Sequence, residues 1–315
     1  FLVVFLPLLF SVLKCSRIDG VHILRLPGAI GSMALPFFLL FRRSFGVELV
    51  GDPFSVFANG GVGGRLSSVY QCVFTWLTRK ACSNAAAVAY VTKQVMQKAY
   101  PVSHGAFTTH YSSIQLDSAL IVSSREIRQV ESDCSFTILM VGSMEQRYKG
   151  FDVMIRALRI LRQSDFNVVV KIAGDGAYRA ELESLAHELN VADYVFFLGL
   201  LSRESVLSLM DEVDLFVMPS RTEGLPRALI EAMARGLPAL GSDVGGIPEL
   251  LDDEYIFESE NYENLAVMVE SLINDGSLRV KMSKKNIEVA RSYEIGELKV
   301  RQRAFYEYLS KVSAA

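Results

Sequence analysis

The chain has 315 residues, half of them hydrophobic, and a formal net charge of −3 with acidic and basic residues in both halves. That length holds two domains of ordinary size. The apolar share excludes a disordered chain, the lack of internal repeats excludes a solenoid, and the lack of a broad basic stripe excludes nucleic acid as the expected partner.

In chain order, Phe1 to Leu13 is almost wholly apolar but falls short of the roughly 20 residues that span a bilayer. Lys14 and Arg17 follow this run instead of preceding it, and Phe1 is not an initiator Met. The sequence therefore reads as starting within a longer protein, without a secretory signal. Met33 to Phe41 is a second apolar stretch, closed by Arg42 and Arg43. It suits peripheral contact with an anionic membrane surface, although an ordinary buried helix is the commoner origin of such a stretch. Strands are expected at His22 to Leu26, Val47 to Val50 and Val88 to Val91, with a helix over Leu66 to Ala81. Residues 1–130 then form a first α/β domain, ending in the polar, aperiodic stretch Ser123 to Cys134.

From Phe136 onward short β-rich runs alternate with segments of helical period. Strands are expected at Phe136 to Val141, Val168 to Ala173, Tyr194 to Leu198, Leu215 to Met218 and Ala239 to Gly241. Helices are expected at Phe151 to Leu161, Arg179 to Leu189, Ser202 to Met210 and Pro226 to Ala234. This order predicts a parallel, doubly wound domain over 131–294. Leu265 to Ile273, Val280 to Val289 and Ile295 to Leu309 read as amphipathic helices, and residues 295–315 are expected to pack back on the first domain.

Cys15, Cys72, Cys82 and Cys134 form no C-x-x-C pair, which points to a reducing cytoplasm and away from a disulfide framework. The four histidines lack the H-E-x-x-H arrangement, so no metal site is expected.

The most informative segment is VMPSRTEGLPRALIEAMARG, from Val217 to Gly236. A strand ends, a turn follows, and Pro226 opens a helix at the position where a missing N–H costs nothing. The amides of Leu225, Arg227 and Ala228, with the helix dipole, make a place for an anion such as a diphosphate. Glu231 lies about 7 Å farther along the axis at 1.5 Å per residue, a span that suits a nucleotide whose ribose hydroxyls it would accept from. Glu223, on the turn, is left facing a sugar. Glutamates early in a helix also arise from dipole preference alone.

The Glu223 to Glu231 spacing resembles the Glu, seven residues, Glu motif of the retaining glycosyltransferases of family four. ILMVGSMEQRYKGFDVMIRAL from Ile138, VKIAGDGAYRAEL from Val170, FFLGLLSRESV from Phe196 and LPALGSDVGGIPELL from Leu237 resemble that family's donor domain in order and spacing. RLPG from Arg25, VGDP from Val50 and AAVAYVTK from Ala86 resemble parts of its acceptor domain. The resemblance implies a GT-B fold, two Rossmann-like domains facing across a cleft. It implies sugar transfer with retention from a nucleotide-sugar donor to a sugar or lipid-linked acceptor, in polysaccharide or glycolipid synthesis, with no cofactor and no metal. The site it implies has Lys149 and Glu223 as catalytic residues. Gly142, Ser143, Arg147, Gly174, Leu201, Gly224, Leu225, Arg227 and Glu231 complete the donor site.

Two departures stand out. Ser143 occupies a position where the family often has Arg, with Arg147 as a substitute cation, and Asp52 stands where many members carry His. Asp52 has two open readings, an acceptor-side hydroxyl contact and a structural turn before Pro53. The family's first strand, glycine-rich loop and following helix are expected upstream of Phe1. Two rival functions of the same fold are a non-catalytic nucleotide-sugar-binding protein and a sugar-nucleotide epimerase. A dinucleotide dehydrogenase is set aside because no G-x-G-x-x-G follows a strand.

Overall fold

The computed structural model describes residues 2–57, 66–114, 116–129 and 134–314. It divides into two compact units, Phe1–Ser113 with Gly296–Ala315, and Ile114–Ile295.

The first unit runs α1 (Leu2–Cys15), β1 (Ile23–Leu26), α2 (Ala29–Leu40), β2 (Gly46–Leu49), α3 (Pro53–Val56), α4 (Ser67–Asn84), β3 (Ala87–Tyr90), α5 (Val95–Ala99) and β4 (Phe107–His110). Its four strands are parallel and lie in chain order. Alternate residues divide between the two faces, as the pleat requires. Leu24, Leu26, Val47, Leu49, Val88 and Tyr90 join one core with Val12 of α1, Ala34, Leu35 and Phe38 of α2, and Ala81 and Cys82 of α4. Burial in that core pushes the Cys82 thiol up to about 12. Met33 to Phe41 lies mainly in α2, a helix of the core, the commoner of its two readings: Ala34, Leu35 and Phe38 are buried, while Pro36 and Leu40 reach solvent.

The second unit runs β5 (Phe136–Val141), α6 (Phe151–Gln163), β6 (Val168–Ala173), α7 (Arg179–Glu188), β7 (Val195–Gly199), α8 (Arg203–Glu212), β8 (Leu215–Met218), α9 (Arg227–Ala234), β9 (Ala239–Ser242), β10 (Ile256–Phe257), α10 (Tyr262–Asn274) and α11 (Gly276–Arg291). Its parallel sheet has the order β10-β9-β8-β5-β6-β7. The chain leaves β5 toward β6 on one side and returns to β8 on the other, so the switch point lies between β5 and β8. In open sheets of this kind ligands bind beyond the carboxyl ends of the strands at that point. Side-chain caps start several helices: Ser202 on α8, Asn261 on α10 and Asp275 on α11. Each accepts from a backbone N–H that the first helical turn leaves unpaired.

The last helix, α12 (Ile295–Ala314), belongs to the first unit. Phe305 and Leu309 pack on Ala87 and Ala89, the face of the sheet opposite α2. The approach is close enough that a Cβ at Gly46 would meet Leu309 at 2.4 Å.

The boundary between units differs from the sequence reading. The second unit begins at Ile114, ahead of the expected boundary: the Val122 amide donates to Ala234 O at 3.0 Å and Arg125 reaches main-chain carbonyls. Its guanidinium donates to Met210 O at 2.8 Å, Val213 O at 2.6 Å, Asp211 O at 3.2 Å and Arg235 O at 3.2 Å. Leaving buried acceptors without a donor costs about 1–3 kcal/mol each. Arg125→Ala should destabilise the second unit by about 3 kcal/mol, read as a lower denaturant midpoint; an unchanged midpoint would show that water replaces the guanidinium.

Candidate functional site

The loops after β5 and β8 meet at the switch point. Lys149 reaches across it and donates from Nζ to Glu223 Oε1 at 2.6 Å, and Ser220 Oγ donates to the same oxygen at 2.8 Å. Both charged side chains are largely enclosed, Lys149 16% and Glu223 9% exposed. Glycines shape the approach. Lys149 lies along Gly142, where a Cβ would stand 3.1–3.2 Å from three carbons of the lysine stem. Gly150, with φ +66, lets the chain turn against Pro219, whose carbonyl oxygen would lie 1.9 Å from a Cβ.

The two loops are also clamped together. The Arg221 amide donates to Tyr148 O at 2.7 Å, and its guanidinium donates to Asp152 at 2.9 and 2.8 Å, to Arg147 O at 2.6 Å and to Glu260 at 3.0 Å. Hydrogen bonding to Asp152 leads in raising its pKa above the ordinary arginine value, against the opposing effect of burial. From the other side the Gly246 amide donates to Gly224 O at 2.7 Å. Gly245, with φ +56, packs so closely that a Cβ would meet Glu223 O at 2.1 Å.

The turn leads into α9, with Leu225 buried and Arg227 exposed. Expected as the first helical residue, Pro226 stands instead at the N-cap, with φ −77 and ψ 106, and the helix begins one position later at Arg227. The first main-chain bond of this turn is Ile230 N to Pro226 O at 3.3 Å. The amides of 227–229 thus lie ahead of the helical ladder, where the dipole concentrates about half a positive charge. Glu231 is about 6 Å farther along the axis and accepts from Arg203 Nε at 2.8 Å.

Beside the Lys149 loop is an open concavity of about 610 Å³. It brings together Gly142, Ser143, Gly174 and Leu201, with Asp175 and Leu200. Gly174, with φ +146, permits a backbone approach in which a Cβ would fall 1.8 Å from Gly142 O. Ser143 Oγ accepts from the Glu145 amide at 3.2 Å. Arg147 instead pairs with Glu181 at 2.6 Å and lies over the Tyr178 ring. The structure thus directs Arg147 to α7 while Lys149 turns to Glu223. Asp52 lies in the first unit, at the end of β2, where Tyr100 Oη donates to it at 2.5 Å and the Phe54 amide at 3.0 Å.

Ser220, Arg203 and the Gly245–Gly246 pair were not singled out from the sequence. The adjacent glycines carried a turn signal, but nothing local marks Arg203 as the partner of a residue 28 positions later. Among the described residues no group of three or more His, Cys, Asp or Glu is placed to hold a metal ion.

Two parallel-sheet α/β domains, one with its loops and a helix start gathered at the switch point, define a protein of the GT-B class. The model of the family described as glycosyl transferases group 1 matches residues 124–289, and the chain belongs to that family. Protein CapJ of Staphylococcus aureus is 27% identical over 310 residues, covering 95% of this chain and 75% of CapJ. Amylovoran biosynthesis glycosyltransferase AmsK of Erwinia amylovora is 38% identical over 121 residues, covering 36% of this chain and 30% of AmsK. Among solved structures, Anabaena HepE in complex with UDP is similar in fold, with a TM-score of 0.71 and 20% identity over 97% of this chain and 82% of that one.

The glycine packing can be tested within one unit. Gly199→Ala, with φ +70 and its nearest neighbour at 3.8 Å, meets only the left-handed backbone cost of about 1–2 kcal/mol. Gly245→Ala adds a collision with the Glu223 carbonyl and should destabilise clearly more. Equal losses in chemical denaturation would mean that the turn carrying Glu223 is not braced by this loop.

Proposed function

We propose that this chain transfers a hexose from a nucleotide-sugar donor to a hydroxyl of a sugar or lipid-linked acceptor, with retention at the anomeric carbon. The observation that carries the reading is the enclosed Lys149–Glu223 pair beside the start of α9. The donor's diphosphate takes the position before 227–229, within reach of Lys149, and its base enters the concavity lined by Gly142, Gly174 and Leu201. Glu231, steadied by Arg203, accepts from the ribose hydroxyls. Glu223 faces the transferred sugar.

In the reaction the bond from the anomeric carbon to the phosphate oxygen breaks and a bond to the acceptor oxygen forms. The acceptor's proton passes to the departing phosphate oxygen on the same face. The leaving nucleoside diphosphate gains negative charge as this happens. A fixed ammonium and helix-start amides stabilise that charge more than they stabilise the ground state, which is the condition for faster turnover. The complex of HepE with UDP supports a nucleotide donor, and the part of AmsK in amylovoran biosynthesis supports glycan assembly as the setting.

A panel of nucleotide sugars, read by thermal stabilisation and then by nucleoside diphosphate release, tests this reading. Glu231→Gln should weaken donor binding about tenfold, the loss of about 1.4 kcal/mol of charge-assisted hydrogen bonding. Lys149→Ala and Glu223→Gln should lower kcat by about 10²–10³. Stabilisation by a nucleotide sugar without diphosphate release to any acceptor would favour a binding protein, and no stabilisation by any donor would overturn the donor site itself.

A further inference from the structure

The net charge of −3 conceals a strong division between the units. The first carries 14 Lys and Arg against 5 Asp and Glu, a net of +9; the second carries 18 against 30, a net of −12. Within the first unit the sequence has no acidic residue from Pro53 to Leu116, and α4 lies inside that stretch.

Helix α4 spans 18 residues, about 27 Å at 1.5 Å per residue. Its inner face is committed to the core through Thr78, Ala81 and Cys82. Its outer face is not polar. Val69 is 56% exposed and Trp76 61%, with Val73 between them on the same side at helical spacing. The stripe continues into Arg79 and Lys80, both exposed. Phe54 of α3 is 59% exposed and is tied to α4 by Gln71, whose side chain donates to Phe54 O at 2.8 Å. Leaving several large apolar side chains in water along one helix is costly unless something covers them. Among the described residues no helix is long and apolar enough to cross a membrane.

We propose that the outer face of α4, with Phe54, seats the chain on an anionic lipid surface, with α4 lying in the plane of the interface. An apolar stripe with a tryptophan enters the boundary between headgroups and acyl chains, while cations at its end meet lipid phosphates. The absence of carboxylates along α4 removes repulsion that an anionic leaflet would otherwise meet there. A soluble polyanion would satisfy Arg79 and Lys80 but leave Val69, Val73 and Trp76 in water, so the lipid surface accounts for both features of the face. The seat differs from Met33 to Phe41, whose apolar residues largely serve the core. It does not depend on the donor-site reading.

Trp76 is the sole tryptophan, so the intact chain carries its own reporter. With phosphatidylglycerol vesicles its emission should move to shorter wavelength and be quenched by brominated acyl chains, and added salt should weaken both effects. Phosphatidylcholine vesicles should bind far less. Arg79→Gln with Lys80→Gln should reduce partitioning on the order of thirty-fold, about fivefold per cation. Val73→Ser with Trp76→Ser should abolish co-sedimentation while leaving stabilisation by nucleotide sugars unchanged. Unaltered tryptophan emission with anionic vesicles, equal binding to neutral ones, or an emission shift with heparin in place of vesicles would overturn the proposal. An emission shift in a chain that no nucleotide sugar stabilises would instead uphold the seat and overturn the proposed function.

Discussion

The Lys149–Glu223 pair is the constraint around which the second unit's loops are arranged. An ion pair this enclosed is a poor source of stability, because taking both charges out of water costs several kcal/mol per ion that their attraction only partly returns. A well-packed apolar pair would serve the fold as well. The chain nevertheless spends several special positions on holding it: Gly142 under the lysine stem, Gly150 in a left-handed turn against Pro219, and Gly245 against the Glu223 carbonyl. Arg221 binds both loops to α6 through Asp152. Such preorganisation makes sense when the ammonium must meet a charge that is absent until a reaction develops it.

The pair also keeps the site electrically balanced. On the proposed reading an arriving diphosphate competes with Glu223 for Lys149, and Ser220 remains to hold the carboxylate in place. Glu231 is handled the same way, by an arginine at the start of the preceding helix, α8, instead of a lysine on the facing loop. Each acidic group of the motif thus has a cation partner within 2.6–2.8 Å, so neither stands as an unpaired charge.

Much of this was legible in the sequence. The strands and helices of the second unit announced themselves by period, because a parallel sheet covered on both faces needs continuous apolar runs and its helices need one apolar stripe. The helix start at 226–227 was readable from Pro226 to within one position. What escaped was either very short or non-local. β10 has only two residues, and β4 has a single apolar residue, Phe107, ahead of Thr108, Thr109 and His110, so neither shows an apolar run. The partnership of Arg203 with Glu231 depends on α8 and α9 being neighbours, and that of Arg125 on carbonyls, which have no residue signature at all. The contacts that hold Val122 and Arg125 on the second unit are non-local in the same way. The charge division was hidden by summing over the chain when the sums belong to two folded units.

That division raises a question for the second unit, which carries −12 overall and is proposed to bind an anion. The distance dependence of the field resolves it. At physiological ionic strength exposed charges are screened beyond about 8 Å, so exposed carboxylates farther than that from the diphosphate contribute little there. Lys149 is enclosed and therefore poorly screened, and the amides ahead of Ile230 are fixed in direction. A few oriented dipoles and one ammonium can then set the local potential against the sign of the whole domain. The first unit faces the opposite demand, since attraction to an extended anionic surface is summed over many weak contacts. Its excess of lysine and arginine matters as a total, whereas in the second unit the placement of single charges decides what binds.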